Sequence, residues 1–274
     1  MTRCLTLLLI LLSFLAQAQH LRGRITDAHA KPLPYVNIGV VGKDVGTVSA
    51  ANGAFFIQLP ATLDEETLQI SAIGYATRKW KVKDFKQQFT GPNATISLEE
   101  QAVALGEVVV RPQKFVTKVV GNTTTSKSIM AGFKTNNLGH EVGIALNIKK
   151  PSFLEKVTFN VAHNQYDTLF LRINVYRMTK DGPAENILRE PIYLQVAKKD
   201  IGDGVSLDLR DRNIYLESDV LLSLELVRDL GKGGLTFSGG FLNVDCYFRH
   251  TSQSNWQKVP IVGLGFNATI SYAK

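Results

Sequence analysis

Residues 46–60 read GTVSAANGAFFIQLP. Asn52-Gly53 supplies the positive φ that a tight turn demands. Phe55, Ile57 and Leu59 then alternate with Phe56 and Gln58, which is the period of a strand with one buried side. The stretch reads as two strands joined in a hairpin, its turn residues serving geometry and its aromatics serving a core. Working outward, the same grammar recurs. HLRGRIT is a strand, and YVNIGV places Val36, Ile38 and Val40 on one side. Leu68 and Ile70 open another strand, and ATISL and GEVVV close the series. DEETLQ and KDFKQQF hold a turn of helix at most. About seven or eight short strands in roughly 90 residues describe a small antiparallel sandwich over residues 19–110.

Residues 111–130 read as a linker, with Pro112 and a Thr/Ser-rich centre, although FVTKVV has the composition to pair as a strand. From 131 to 274 the alternation is clearer. TLFLRINVYRM sets Leu169, Leu171, Ile173 and Val175 against Arg172, Asn174 and Tyr176. KVTFNV, VSLDL, DVLLSLELV, GFLNVDCYFRH and LGFNATISY each carry an apolar row. Six or more amphipathic strands predict a second sandwich of jelly-roll type. The fold class is therefore all-β, two β-sandwich domains, the second jelly-roll-like.

The N-terminus has Arg3, an apolar run from Leu5 to Ala16, and Ala16-Gln17-Ala18 as a small-x-small site. This is the form of a secretory signal peptide over residues 1–18. The run is too short to span a membrane, for which about 20 apolar residues are needed. Cys4 leaves with the leader, so Cys246 remains alone, on the apolar row of its strand, and reads as an inert buried thiol. The formal charge is +7. In an exported chain such a balance points to anionic lipids or glycans rather than nucleic acid, but the lysines are interspersed as on a solvated surface.

Four segments together carry a family resemblance: GRITDAHAKPLPYVNIGV, GTVSAANGAFFIQLP, LQISAIGYATRKWKV and LGEVVV. In this order they resemble the carboxypeptidase-regulatory-like domain, a transthyretin-like sandwich of secreted and outer-membrane proteins of Bacteroidetes. The resemblance covers residues 20–110. It implies that the first sandwich is transthyretin- or Ig-like and serves as an accessory module without catalytic residues of its own. In receptors of that phylum a stretch like LGEVVV leads into a plug and barrel; here it reads as the closing strand.

The five histidines, His20, His29, His140, His163 and His250, form no His-x-x-Glu or His-Glu-x-x-His pattern, and no nucleophile elbow, phosphate loop or calcium loop occurs. No catalytic residue, metal ligand or cofactor is therefore assigned. Glu225, between Leu224 and Leu226, reads as part of a solvated side. The candidate binding surface is the polar side of the second sandwich. It comprises Asn243, Asp245, Tyr247 and Arg249 on one strand and Arg172, Asn174 and Tyr176 on another, with Trp256 following. On one sheet these would offer rings for sugars and polar groups for hydroxyls; the alternative is an ordinary solvated sheet. The sequence thus predicts a non-enzymatic envelope binding or scaffold module for a glycan or envelope protein, in the periplasm or at the cell surface, peripheral to the membrane at most. The alternatives are an accessory subunit of an outer-membrane assembly, and a hydrolase whose carboxylates converge only in space.

Overall fold

The computed structural model describes residues 19–91, 94–101, 114–241 and 244–274. The leader, the stretch GEVVV and Asn243 lie outside them. The first sandwich has a three-stranded sheet in the order Ala54–Leu59, Gln19–Asp27, Ala94–Leu98. Over it lies a four-stranded sheet in the order Gly46–Val48, Asn37–Val40, Thr67–Ser71, Arg78–Lys81. Ile25, Ile38, Leu59, Leu68, Ile70 and Ile96 are sealed between them. Helix α1, Val82–Gln88, has seven residues rather than a single turn. Burial of Val82 and Phe85 against this core favours the longer helix.

The hairpin reading of residues 46–60 is corrected. Gly46–Val48 pairs with Asn37–Val40, whereas Ala54–Leu59 pairs with Gln19–Arg24, so the Asn52-Gly53 turn carries the chain from one sheet to the other. Gly53 adopts φ +77. Its carbonyl accepts from the Ile25 N–H at 2.8 Å, and an added Cβ would stand 2.4 Å from the Ile25 oxygen. Glycine therefore satisfies both the backbone angle and the close approach. The alternation holds: Phe55, Ile57 and Leu59 are buried and Phe56 is 47% exposed.

The second sandwich is built on a seven-stranded sheet in the order Gly182–Asn186, Thr168–Thr179, Val220–Glu225, Glu141–Leu146, Cys246–Arg249, Gln257–Val259, with Ile192–Ala197 also on Thr168–Thr179. A five-stranded sheet faces it, in the order Val205–Asp208, Ser152–Phe159, Phe266–Ala273, Phe115–Gly121, with Tyr215–Leu216 also on Ser152–Phe159. Phe115–Gly121 is the pairing anticipated for FVTKVV, and it corrects the linker reading of 111–130, because these residues complete a sheet of the second sandwich. A four-stranded sheet of Val161–Asn164, Leu235–Phe241, Val262–Leu264 and Ile129–Phe133 completes the body. The stretch GFLNVDCYFRH is divided between two of these sheets, at Leu235–Phe241 and Cys246–Arg249. Leu169, Leu171, Ile173 and Val175 all enter the core, and so does Cys246, whose thiol burial pushes up to about 11. No helix among the described residues is long and apolar enough to cross a membrane.

The two sandwiches meet through the outer side of Asn37–Val40. Ile38 and Val40 point into the first core. The alternate residue Gly39 lies so close to the second sandwich that an added Cβ would stand 2.1 Å from the Ser252 oxygen. Gln253 reaches back across the junction: its carbonyl accepts from the Gly42 N–H at 2.9 Å, and its side chain joins Gln69 at 2.7 Å and Ser71 at 2.8 Å. Tyr35, at φ +56, completes the junction by packing its ring 5.1 Å from Phe170 and 5.3 Å from Tyr193. The left-handed conformation costs a tyrosine about 1 kcal/mol, which this packing offsets.

Candidate functional site

Strand register sets four charged side chains in one row. Arg172 lies opposite Glu225, Glu225 opposite Glu141, and Glu141 opposite Arg249, across four adjacent strands. Two carboxylates directly opposite repel. Here an arginine stands outside each, and all four side chains are almost wholly buried. Arg172 donates to Glu225 Oε2 from Nε at 3.0 Å and Nη2 at 2.7 Å. Arg249 donates to Glu141 Oε2 from Nε at 2.8 Å, and its Nη2 stands 2.6 Å from the same oxygen while donating to Tyr176 OH at 3.1 Å. Asn174 Nδ2 bridges the glutamates, donating at 2.8 Å to each. Ser223 Oγ and Tyr176 OH complete the shell of Glu141 at 2.5 and 3.2 Å.

The first sandwich caps one end of the row. Arg172 Nη1 donates to the Tyr35 carbonyl at 2.7 Å and Nη2 to Asn37 Oδ1, while Asn37 Nδ2 donates to Glu225 Oε1 at 2.9 Å. Burial works against the Glu225 anion, but Arg172 and Arg249 outweigh it and hold that carboxyl below the ordinary range. For Glu141, burial prevails over Arg249 and the carboxyl sits above it.

Two sequence expectations change here. Glu225 is 0% exposed, not on a solvated side, because Asn37 and Arg172 cover it. Five of the candidate residues, Arg172, Asn174, Tyr176, Tyr247 and Arg249, share one sheet, yet their side is covered, and Asp245 and Trp256 lie outside its strands. Arg172, Asn174, Tyr176, Tyr247 and Arg249 are all less than 10% exposed. Trp256 lies over Arg249, 4.8 Å from ring centroid to guanidinium carbon, and meets Tyr176 edge-on at 5.5 Å. Tyr247 packs with Tyr176 and Leu221. Asp245 is exposed and pairs with Lys258 at 2.7 Å, and Asn243 lies outside the described residues.

A cleft of about 700 Å³ opens between the sandwiches above this row. Its floor is Arg172, Asn174, Tyr176 and Arg249, so four of the anticipated residues line it, whereas Tyr247, Asp245 and Trp256 do not. Sequence reasoning missed the opposite wall, Gln69, Ser71 and Ile73–Tyr75 of the first sandwich, and the rim from Ala184 to Arg189. Asn186 Nδ2 ties that rim to the floor by donating to Asn174 Oδ1 at 2.9 Å. Six residues with side-chain amides line the cleft, Asn37, Gln69, Gln101, Asn174, Asn186 and Gln253, of which Asn37 and Asn174 are engaged at both ends by the charge row and Asn186. Its floor arginines 172 and 249 are neutralised by the glutamates beneath, so the floor presents donors and acceptors with no net charge, while on the rim Glu185 pairs with Arg177 at 2.7 Å. Among the described residues no group of three or more His, Cys, Asp or Glu gathers as a metal site.

No curated protein matches the chain. Among solved structures it is similar to the major pilin subunit BcpA of Bacillus cereus and to a variant of that subunit. Each is 12% identical, with a TM-score of 0.20, over 90% of this chain and 69% of the pilin chain. The family model of the CarboxypepD_reg-like domain matches residues 21–110, which bears out the resemblance carried by the N-terminal motifs and places that domain in the first sandwich.

Proposed function

We propose that the chain is an exported, non-enzymatic binding or scaffold module of the cell envelope, with a first sandwich at 19–110 and a second that takes in the strand Phe115–Gly121 ahead of 131–274, and that the cleft between them holds a neutral glycan. The observation that carries this reading is the charge-balanced floor of the cleft together with its amide-rich lining. Amides and hydroxyls that both donate and accept suit a polyol, whereas an acidic sugar would need an uncompensated cation. The non-enzymatic part is supported by the glutamates. A glycosidase must present a proton and a carboxylate to the scissile bond. Glu141 and Glu225 lie beneath the floor, each held by an arginine and by Asn174.

Isothermal titration against neutral and acidic polysaccharides and peptidoglycan fragments tests the proposal. We expect binding to neutral members, weakened about tenfold by Gln101→Ala or Asn186→Ala through loss of one hydrogen bond to ligand. Tyr247→Phe should leave it unchanged, because Tyr247 does not line the cleft. Binding confined to acidic glycans, or indifferent to both cleft variants, would overturn the assignment.

A further inference from the structure

Phe115–Gly121 is a seven-residue strand at one end of the five-stranded sheet. It pairs along its full length with Phe266–Ala273, and no other strand among the described residues pairs with it. The far end of the same sheet is blunted: Val205–Asp208 has four residues and Tyr215–Leu216 two, beside the Asp208–Arg210 ion pair. Phe115–Gly121 lacks such protection. It has no proline, and Phe115 and Val119 stand 61% and 50% exposed on one side. Its backbone, unpaired on this side among the described residues, is a ready template for another strand.

Charge selects the occupant. Lys118 lies within the strand and Lys114 at its start, and the strand holds no acidic residue. Lys274 follows the neighbouring strand, its N–H donating to the Lys114 carbonyl. Lys150 lies 5.3 Å from the ring of Tyr272, the cross-strand partner of Val116. A second copy paired antiparallel about the strand centre would set Lys118 against Lys118, which is destabilising. From this open, apolar and basic edge we infer that Phe115–Gly121 takes up an extended segment of a partner protein in which apolar residues alternate with acidic ones. Backbone hydrogen bonds supply affinity in this mode, and alternate side chains supply choice. The surface is separate from the cleft and does not depend on what the cleft holds.

The test uses the full chain and a short synthetic peptide alternating valine with glutamate, beside its lysine counterpart. Fluorescence anisotropy measures binding, and amide hydrogen exchange locates it. We expect the glutamate peptide to bind, to slow exchange at 115–121, and to lose roughly tenfold in affinity on Lys118→Glu, the charge pairing being reversed. The lysine peptide should prefer the Lys118→Glu chain. Equal binding of the two peptides, no binding, protection of another segment, or dimerisation of the free chain through this edge would each overturn the inference.

Discussion

The two halves of the charge row are near mirror images, yet they hold different things together. In each, an arginine on an outer strand clamps a fully buried glutamate on an inner one. The Arg249–Glu141 half is satisfied within the second sandwich, by Ser223, Asn174 and Tyr176. The Arg172–Glu225 half is satisfied only when the first sandwich is in place, through Tyr35 and Asn37. The same chemical pair is therefore an internal brace on one side and a docking device on the other. A buried pair adds little net stability compared with a well-packed apolar one, but losing one partner leaves the other charged and uncompensated. The first half thus makes the docked arrangement all-or-none: separating the sandwiches strips Arg172 and Glu225 of partners they cannot replace within their own sheet.

Removing one arginine at a time separates the two roles. Arg172→Leu and Arg249→Leu should each cost about 3–5 kcal/mol, the range for an orphaned buried charge, read from urea denaturation. They should differ in where exchange rises. For Arg172→Leu we expect faster amide exchange in 35–41 and 250–256, where the sandwiches meet. For Arg249→Leu we expect it in 141–146 and 246–249, with the junction retained. The same exchange pattern in both variants would show the row to be one undivided unit.

Acid should act first on the Arg249 half. His140 and His250, which adjoin Glu141 and Arg249 in the chain, bring their rings to 6.2 Å, and Phe133 lies edge-on to His140 at 5.2 Å. Burial, with His250 adding to it, lowers His140 to about 4. The unfolded chain takes up this proton near pH 6.5 and the folded chain only near 4, so the unfolded state binds more protons between these values. Stability therefore falls as pH drops from 6.5 to 4, by about 3 kcal/mol from this residue, and is flat in this respect below. His140→Leu should remove that share of the loss when denaturation midpoints at pH 7 and 4.5 are compared. An unchanged acid sensitivity would assign the effect to other groups.

The sheet grammar was legible from the sequence because period-two alternation is local. Val36, Ile38 and Val40, or Leu169 to Val175, declare their buried side without reference to anything distant. The site was legible in half. Arg172, Asn174, Tyr176 and Arg249 stood out as one polar side, but alternation gives a side and not what covers it. Only the cross-strand register, fixed by residues more than fifty positions apart, shows Glu225 facing Glu141. The available signal was charged residues inside otherwise apolar strands, in LSLELV and GHEVGIAL, where a solvated reading leaves the opposite-side partners unexplained. The crossing at Asn52-Gly53 failed for a related reason: turn chemistry specifies backbone angles, not which sheet the next strand joins.

The smallest expected effect bears on the docking half alone. Gly39 is in an ordinary extended strand, so alanine there meets no backbone penalty, only the Ser252 carbonyl 2.1 Å from its Cβ. Backbone cannot swing aside as a side chain tip can, so the 250–256 segment must shift and its hydrogen bonds from Gly42 and Gln69 must lengthen. Overpacking of this kind costs about 1–3 kcal/mol. Gly202→Ala, with nothing within 4 Å of the added carbon, is the matched control and should be near neutral. Because Gly39 touches neither arginine, coupling between Gly39→Ala and Arg172→Leu reports the docking itself. If docking is one cooperative contact, the two losses sum to less than their separate values, since the second variant acts on a junction already loosened. Coupling between Gly39→Ala and Arg249→Leu should be close to zero. Equal coupling to both arginines would mean that the brace and the docking device are a single element.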